Sequence, residues 1–173
     1  MNKIVVKNIW RFIVLLLLQV LVFKRVQFGF GFLSQVNIFI YPLFLFMLPI
    51  NISRVLLIFF GFGLGIAVDI FYYSPGLHAS ACTFIGFIRP WLISVLEPRG
   101  GYKVNTVPTK DALGTNWFIR YSVTLLVLHL FIYFFMETFA VTLILNVLIK
   151  TALSFVFSYF MIIFYVTIFN PKY

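Results

Sequence analysis

Acidic residues are the scarcest feature of this chain. Asp69, Glu97, Asp111 and Glu137 are the only four, against 13 lysines and arginines in 173 residues. They lie far apart along the chain, so the sequence gives no support to a paired-carboxylate acid–base site. Cys82 is the single cysteine, which excludes an internal disulfide and a cysteine-based metal site. It reads as a small apolar packing residue. There is no HExxH, no GxSxG, no Cys/His metal spacing and no glycine-rich phosphate loop. Neither catalysis nor a cofactor is expected. Charge of both signs is sparse, at 10% where soluble domains carry about 25%, and no polar stretch is long enough for a separate soluble domain.

What is present is hydrophobic: 63% of residues are apolar and the mean hydropathy is +1.09. The solvent of such a chain is lipid, and its length suits an all-α membrane bundle of about six spans. Spans are expected over about 9–23, 36–50, 55–73, 79–96, 118–136 and 141–169, with one long polar loop at 97–117, all in a single domain, 1–173. The run 36–50 is short and carries Pro42, so a kinked span is expected there. Pro49 opens a tight turn to Ser53. Ser74-Pro75-Gly76 is a strong turn signal, and Asn170-Pro171 closes the last span. Arg89-Pro90 should bend the fourth span or mark its exit. Lys3, Lys7 and Arg11 before an apolar core resemble a secretory signal, but the core ends in Lys24-Arg25 and not in a small-residue cleavage site. It reads as a retained first helix.

The net charge of +9 is not a nucleic-acid signal, because the basic residues stand at the ends of apolar runs. An inside N-terminus puts Lys3, Lys7, Arg11, Arg54, Arg99, Lys103, Lys110 and Lys172 on the cytoplasmic side and only Lys24 and Arg25 outside. The positive-inside rule therefore favours N-in, C-in, and Trp10, Trp91 and Trp117 then fall toward the inner interface.

Within the third span Gly61, Gly65 and Asp69 recur at steps of four, each advancing about 40° around the helix. Arg54 falls on the same face. Small residues at this spacing allow another helix to approach closely, and an acid inside a span points into the protein or toward a partner. The face is expected to take a partner helix, the plainer reading being that the glycines seat a neighbouring helix of the same chain. An outer-leaflet polar cluster is expected from Asp69, His78, Glu137, Asn146 and Lys150. In it Lys150 pairs with Asp69 or Glu137, or else snorkels to the interface. Asn146, Lys150, Ser154 and Ser158 form a polar stripe on the sixth span. His129 reads as a hydrogen-bonded core residue. Arg89 is expected either on carbonyls freed by Pro90 or on lipid phosphate.

The stretch Leu48-Pro49, Arg54, Gly61-Phe62, Gly65, Asp69 and Ser74-Pro75-Gly76-Leu77 resembles the rod shape-determining protein MreD family of bacteria. The specific part covers about thirty residues, and the rest matches in hydropathy alone. The resemblance implies a non-enzymatic subunit of the inner-membrane cell-elongation machinery that directs peptidoglycan synthesis and cell shape. It would bind the bitopic scaffold MreC and help connect the MreB filament to the RodA glycosyltransferase and a class B penicillin-binding transpeptidase. Apart from these proteins only membrane lipid is an expected partner. The family is also similar in helix arrangement to the substrate-binding S components of energy-coupling-factor vitamin transporters, which makes a micronutrient-binding subunit the alternative. The first helix lacks the paired alanines through which such subunits commonly dock. The outer loops are short, although Lys24 to Gln35 could partly form a lid.

Overall fold

The computed structural model describes residues 3–26, 36–103 and 106–169. The connection 27–35 and the end at Asn170-Pro171, with Lys172, lie outside them. The described residues are helical with no strand. Helix α1 runs Lys3–Leu17 and continues through a wide π turn, Leu18–Val22, into a tight 3-10 turn, Phe23–Arg25. Helix α2 is the single turn Leu43–Phe46, α3 is Arg54–Tyr72 and α4 is Leu77–Val95. After a loop, α5 is the short turn Lys110–Leu113 and α6 runs Thr115–Thr138. A 3-10 turn at Val141–Leu143 leads into α7, Ile144–Phe169.

Four helical stretches, Val6–Arg25, Arg54–Tyr72, Thr115–Thr138 and Val141–Phe169, are long and apolar enough to cross a membrane. Helix α4 is as long as α3, but His78 and Arg89 interrupt its apolar run. Both are fully buried against protein, where a polar side chain can find partners that lipid cannot supply. It continues through Pro90 to Val95, so the expected exit at Arg89-Pro90 is not where the helix ends.

The expected second span is corrected by the structure. Residues 36–40 are extended, and only Leu43–Phe46 is helical. Except for half-buried Asn37, every side chain from Val36 to Leu48 is buried. The segment threads the middle of the bundle, from Ser154 and Ser158 of α7 at one end to Arg89 of α4 at the other. Pro42 cannot continue a helix begun before it, and it sits here as the cap that starts α2.

Helices α3 and α4 form a tight hairpin. Tyr73 and Gly76 both take left-handed backbone at the turn, with φ of 55° and 86°. Ser53 starts α3 by accepting from the Leu56 N–H at 3.3 Å, an N-cap. Of the two readings of the Gly61–Gly65 face, the structure shows the neighbouring helix of the same chain against it. A Cβ on Gly65 would lie 2.3 Å from the Ala79 Cα, and one on Gly61 2.5 Å from the Cys82 carbonyl oxygen. From the other side, a Cβ on Gly86 would lie 2.7 Å from the Leu57 carbonyl. Helix α4 of the same chain occupies the groove, and the two backbones nearly touch. Arg54 lies past the end of that contact. It is exposed, as the first residue of α3, beyond the level at which Gly86 meets Leu57.

Candidate functional site

The polar chemistry of the molecule is gathered along the threaded segment, and it begins with a backbone problem. An extended stretch inside a membrane bundle has no strand beside it, yet each buried N–H and C=O needs a partner. Side chains from two helices supply them. On one edge Gln19 of α1 donates from Nε2 to the Ile38 carbonyl and accepts at Oε1 from the Ile40 N–H, both at 3.0 Å. On the other edge Ser154 Oγ accepts from the Asn37 N–H at 3.1 Å and Ser158 Oγ from the Phe39 N–H at 2.9 Å. Alternate residues face alternate helices, as the pleat of an extended chain requires. Gln19 is fully buried inside the π turn of α1. Such turns are common where a helix must re-aim a side chain for a task.

Past the extended stretch, the Tyr41 hydroxyl lies 2.8 Å from His78 Nδ1 and 2.8 Å from His129 Nε2, and all three residues are fully buried. A hydroxyl has one proton. Tyr41 therefore donates to one imidazole and accepts from the other, which links α4 and α6 through the segment. Phe39 packs edge-on against Tyr41, His78 and Tyr133. His129 is thus a hydrogen-bonded core residue, while His78, expected in an outer turn, is a core residue too.

Beyond α2, Arg89 takes hold of the segment's exit. Its Nε donates to the Tyr121 hydroxyl at 2.6 Å, and its terminal nitrogens donate to the Leu48 and Pro49 carbonyls. Tyr121 in turn donates to the Phe46 carbonyl at 2.8 Å. These carbonyls end a helix and have no partner within it, and a rigid guanidinium fork can reach several at once. Arg89 is fully buried, which corrects both expectations for it. It holds the carbonyls of the α2 turn, and lipid phosphate cannot reach it. The loop after α4 folds over this end: the Trp117 indole donates to the Leu96 carbonyl and stacks on Tyr121 at 4.8 Å. The Ile50 N–H donates to the Thr106 carbonyl. In the same loop the Tyr102 hydroxyl, raised above its usual pKa by partial burial, stays protonated and donates to the Ile93 carbonyl at 2.8 Å.

The expected outer cluster divides in two. Asp69 accepts from the Ser74 hydroxyl at 2.8 Å and from the His78 N–H at 3.0 Å, and its other oxygen accepts from the Ala79 N–H at 2.9 Å. It caps α4 from across the turn, where a carboxylate satisfies orphan N–H groups and meets the positive end of the helix dipole. Lys150 pairs with Glu137 at 2.9 Å and lies over the Phe134 ring, so of the two acids expected for it Glu137 is the partner. Asn146 is exposed. Of the turn residues, Pro75 and Gly76 form the hairpin turn and Pro49 presents its carbonyl to Arg89.

Gln19, Tyr41 and Tyr121 were not marked by the sequence reading. Gln19 is the one amide in the first apolar run, and that was the available signal. Ser154 and Ser158 were seen as a stripe at helical spacing, but nothing in the spacing says that they face an extended chain. No protein-family model, curated protein or solved structure matches the chain.

Proposed function

We propose that this protein is a non-enzymatic, multi-pass subunit of the bacterial cell-elongation complex, of the MreD kind, in the cytoplasmic membrane. Its task would be to bind an MreC-like bitopic scaffold and, through it, to help join the MreB filament to RodA and a class B transpeptidase. One observation carries the reading. Four residues of the family-like motif have a task in the α3–α4 hairpin: Gly61 and Gly65 admit α4, Asp69 caps it, and Gly76 makes the turn. The motif is the framework of a rigid hairpin. A partner's single helix would then dock on an outward face and not in the glycine groove.

The N-in, C-in orientation belongs to the same proposal. It rests on the positive-inside rule applied to the sequence, in which Lys3, Lys7, Arg11, Arg54, Arg99, Lys103, Lys110 and Lys172 fall in the inner segments and only Lys24 and Arg25 in the outer ones. The transporter alternative is disfavoured because the bundle centre is filled by the chain's own residues 36–48.

Tagged purification from native membranes in mild detergent, with mass spectrometry of the co-eluting proteins, tests the reading. Recovery of a bitopic coiled-coil protein, with or without wall synthases, is the expected result. Recovery of paired ATPases with a coupling membrane protein would overturn it.

A further inference from the structure

Two helices end in a backbone conformation that their residues do not favour. Tyr73 closes α3 and Phe139 closes α6 in the left-handed region, with φ of 55° and 42°. Glycine usually holds that position, because a Cβ there is strained. Here large aromatic residues take it, and packing within the chain does not offset the strain. Tyr73 is 87% exposed and Phe139 80%. What stabilises the two rings lies outside the chain.

Both rings stand on one rim. Asp69 accepts from the His78 N–H, so Tyr73, four residues on, lies about 6 Å beyond the His78 level. Tyr133 packs on the His78 ring at 4.7 Å, and Phe139, six residues on, lies about 9 Å beyond it. The opposite end carries a matching level. Arg11 and Arg89 donate to consecutive carbonyls, those of Met47 and Leu48, and beside them Trp10 and Trp91 are 68% and 59% exposed. From His78 to Trp91 helix α4 descends about 20 Å. The two aromatic levels are thus about 26–29 Å apart, close to the thickness of a hydrocarbon core, about 30 Å.

The neighbours of the two rings fix the boundary more closely. Before Tyr73 the exposed residues Phe62, Ile66 and Ile70 of α3 form one apolar stripe at steps of four, which lipid covers. At Tyr73 the character changes. The Lys24 ammonium lies 5.0 Å from its ring centre and donates to the Phe71 carbonyl. On α6, Glu137, two residues before Phe139, pairs with Lys150. Charges are costly inside hydrocarbon and reach for its edge, and aromatic residues gather where hydrocarbon meets headgroups.

We propose that Tyr73 and Phe139 are lipid anchors, their rings seated at the headgroup boundary of the leaflet beside the α3–α4 turn, where lipid contact offsets their strained backbone. The assignment needs only that the helices cross a bilayer. It does not depend on their orientation or on the identity of any protein partner.

Nitroxide labels on Tyr73→Cys and on Phe139→Cys, in the full chain in phosphatidylcholine nanodiscs, test the placement through their accessibility to oxygen and to a water-soluble nickel chelate. Cys82 is buried and stays unlabelled. Both labels are expected at the headgroup boundary, with Ile66→Cys about 10 Å deeper than Tyr73→Cys and Lys103→Cys in water. A label at 73 or 139 as deep as that at 66 would overturn the proposal. So would one as wet as that at 103, which would leave the rim free for a protein partner. Should Phe139→Cys fail to fold, Val141→Cys, 74% exposed two residues on, replaces it under the same two outcomes. Tyr73→Ser keeps the strain and loses the ring, so in nanodiscs it should unfold at a lower temperature than both the unmodified chain and Tyr73→Gly. Unfolding of Tyr73→Ser at the unmodified temperature would show that the ring anchors nothing.

Discussion

The α3–α4 hairpin and the segment 36–48 lie side by side in the same bundle, and they satisfy their backbones in opposite ways. The hairpin does so locally. Each helix bonds itself, two glycines let the helices touch, and one carboxylate closes the turn. The segment depends on distant residues. Gln19, Ser154, Ser158, Tyr121 and Arg89 reach it from four helices, with separations of up to 121 residues. In lipid, burying an apolar side chain against protein gains little over leaving it in the bilayer, so packing and hydrogen bonds must hold such a segment. The hairpin is a self-contained unit, whereas the segment is ordered only when the rest of the bundle is present.

The sharpest way to break the comparison is at the glycine contact. Gly65→Leu must push the Ala79 backbone away from a Cβ that would otherwise lie 2.3 Å from it. Backbone cannot yield as a side-chain tip can, so the loss should exceed the ~3 kcal/mol upper range of ordinary overpacking. Thermal unfolding in detergent should show a collapsed transition, while Gly63→Leu on the outward face of the same helix unfolds near the unmodified protein. Equal behaviour of the two variants would mean that α4 does not press on α3 as described.

At the segment, Gln19→Leu is the corresponding break. It leaves the Ile38 carbonyl and the Ile40 N–H buried without their partner, each costing about 1–3 kcal/mol. The expected loss is about 2–6 kcal/mol, and hydrogen exchange should show it first at residues 36–40. The hairpin amides should remain protected. If instead both regions lose protection together, the segment and the hairpin fold as one unit and the contrast between them fails.

This difference also explains what the sequence revealed. The hairpin was legible because its signals are local: Gly61, Gly65 and Asp69 at steps of four, then Ser-Pro-Gly at the turn. Their occupant stayed open between a partner helix and a neighbouring one, since periodicity shows that a face is small and not which of the two fills it. The run 36–50 was read as a span because hydropathy cannot tell a buried extended chain from a helix of the same composition. Pro42 was a sign of irregularity, but the partners that make an extended chain tolerable lie on helices distant in sequence. Arg89 was misjudged for the same reason: its carbonyls belong to Leu48 and Pro49, not to its own helix.

A smaller effect probes the hairpin's cap. Asp69→Ala removes the acceptor for the His78 and Ala79 N–H groups. Loss of an N-cap costs about 0.5–2 kcal/mol. Asp69→Asn keeps one oxygen but turns an NH₂ toward a donor, so it should recover only part of that loss. Full recovery by Asn would mean that the carboxylate's charge and second oxygen contribute nothing to the cap.

The smallest effect is expected at the far rim, where Lys150 and Glu137 stand 2.9 Å apart with 25% and 32% of their side chains exposed. Partly hydrated ion pairs contribute about 0–1 kcal/mol. Glu137→Lys alone should therefore cost little, through repulsion of Lys150, and adding Lys150→Glu should restore the original stability. The same Lys150→Glu placed on Asp69→Lys should restore nothing, because Asp69 is committed to the N-terminus of α4 and a lysine there would face N–H groups. Rescue of Asp69→Lys would join the two polar groups into one cluster and remove the distinction between a cap that builds the hairpin and an ion pair that decorates its neighbours.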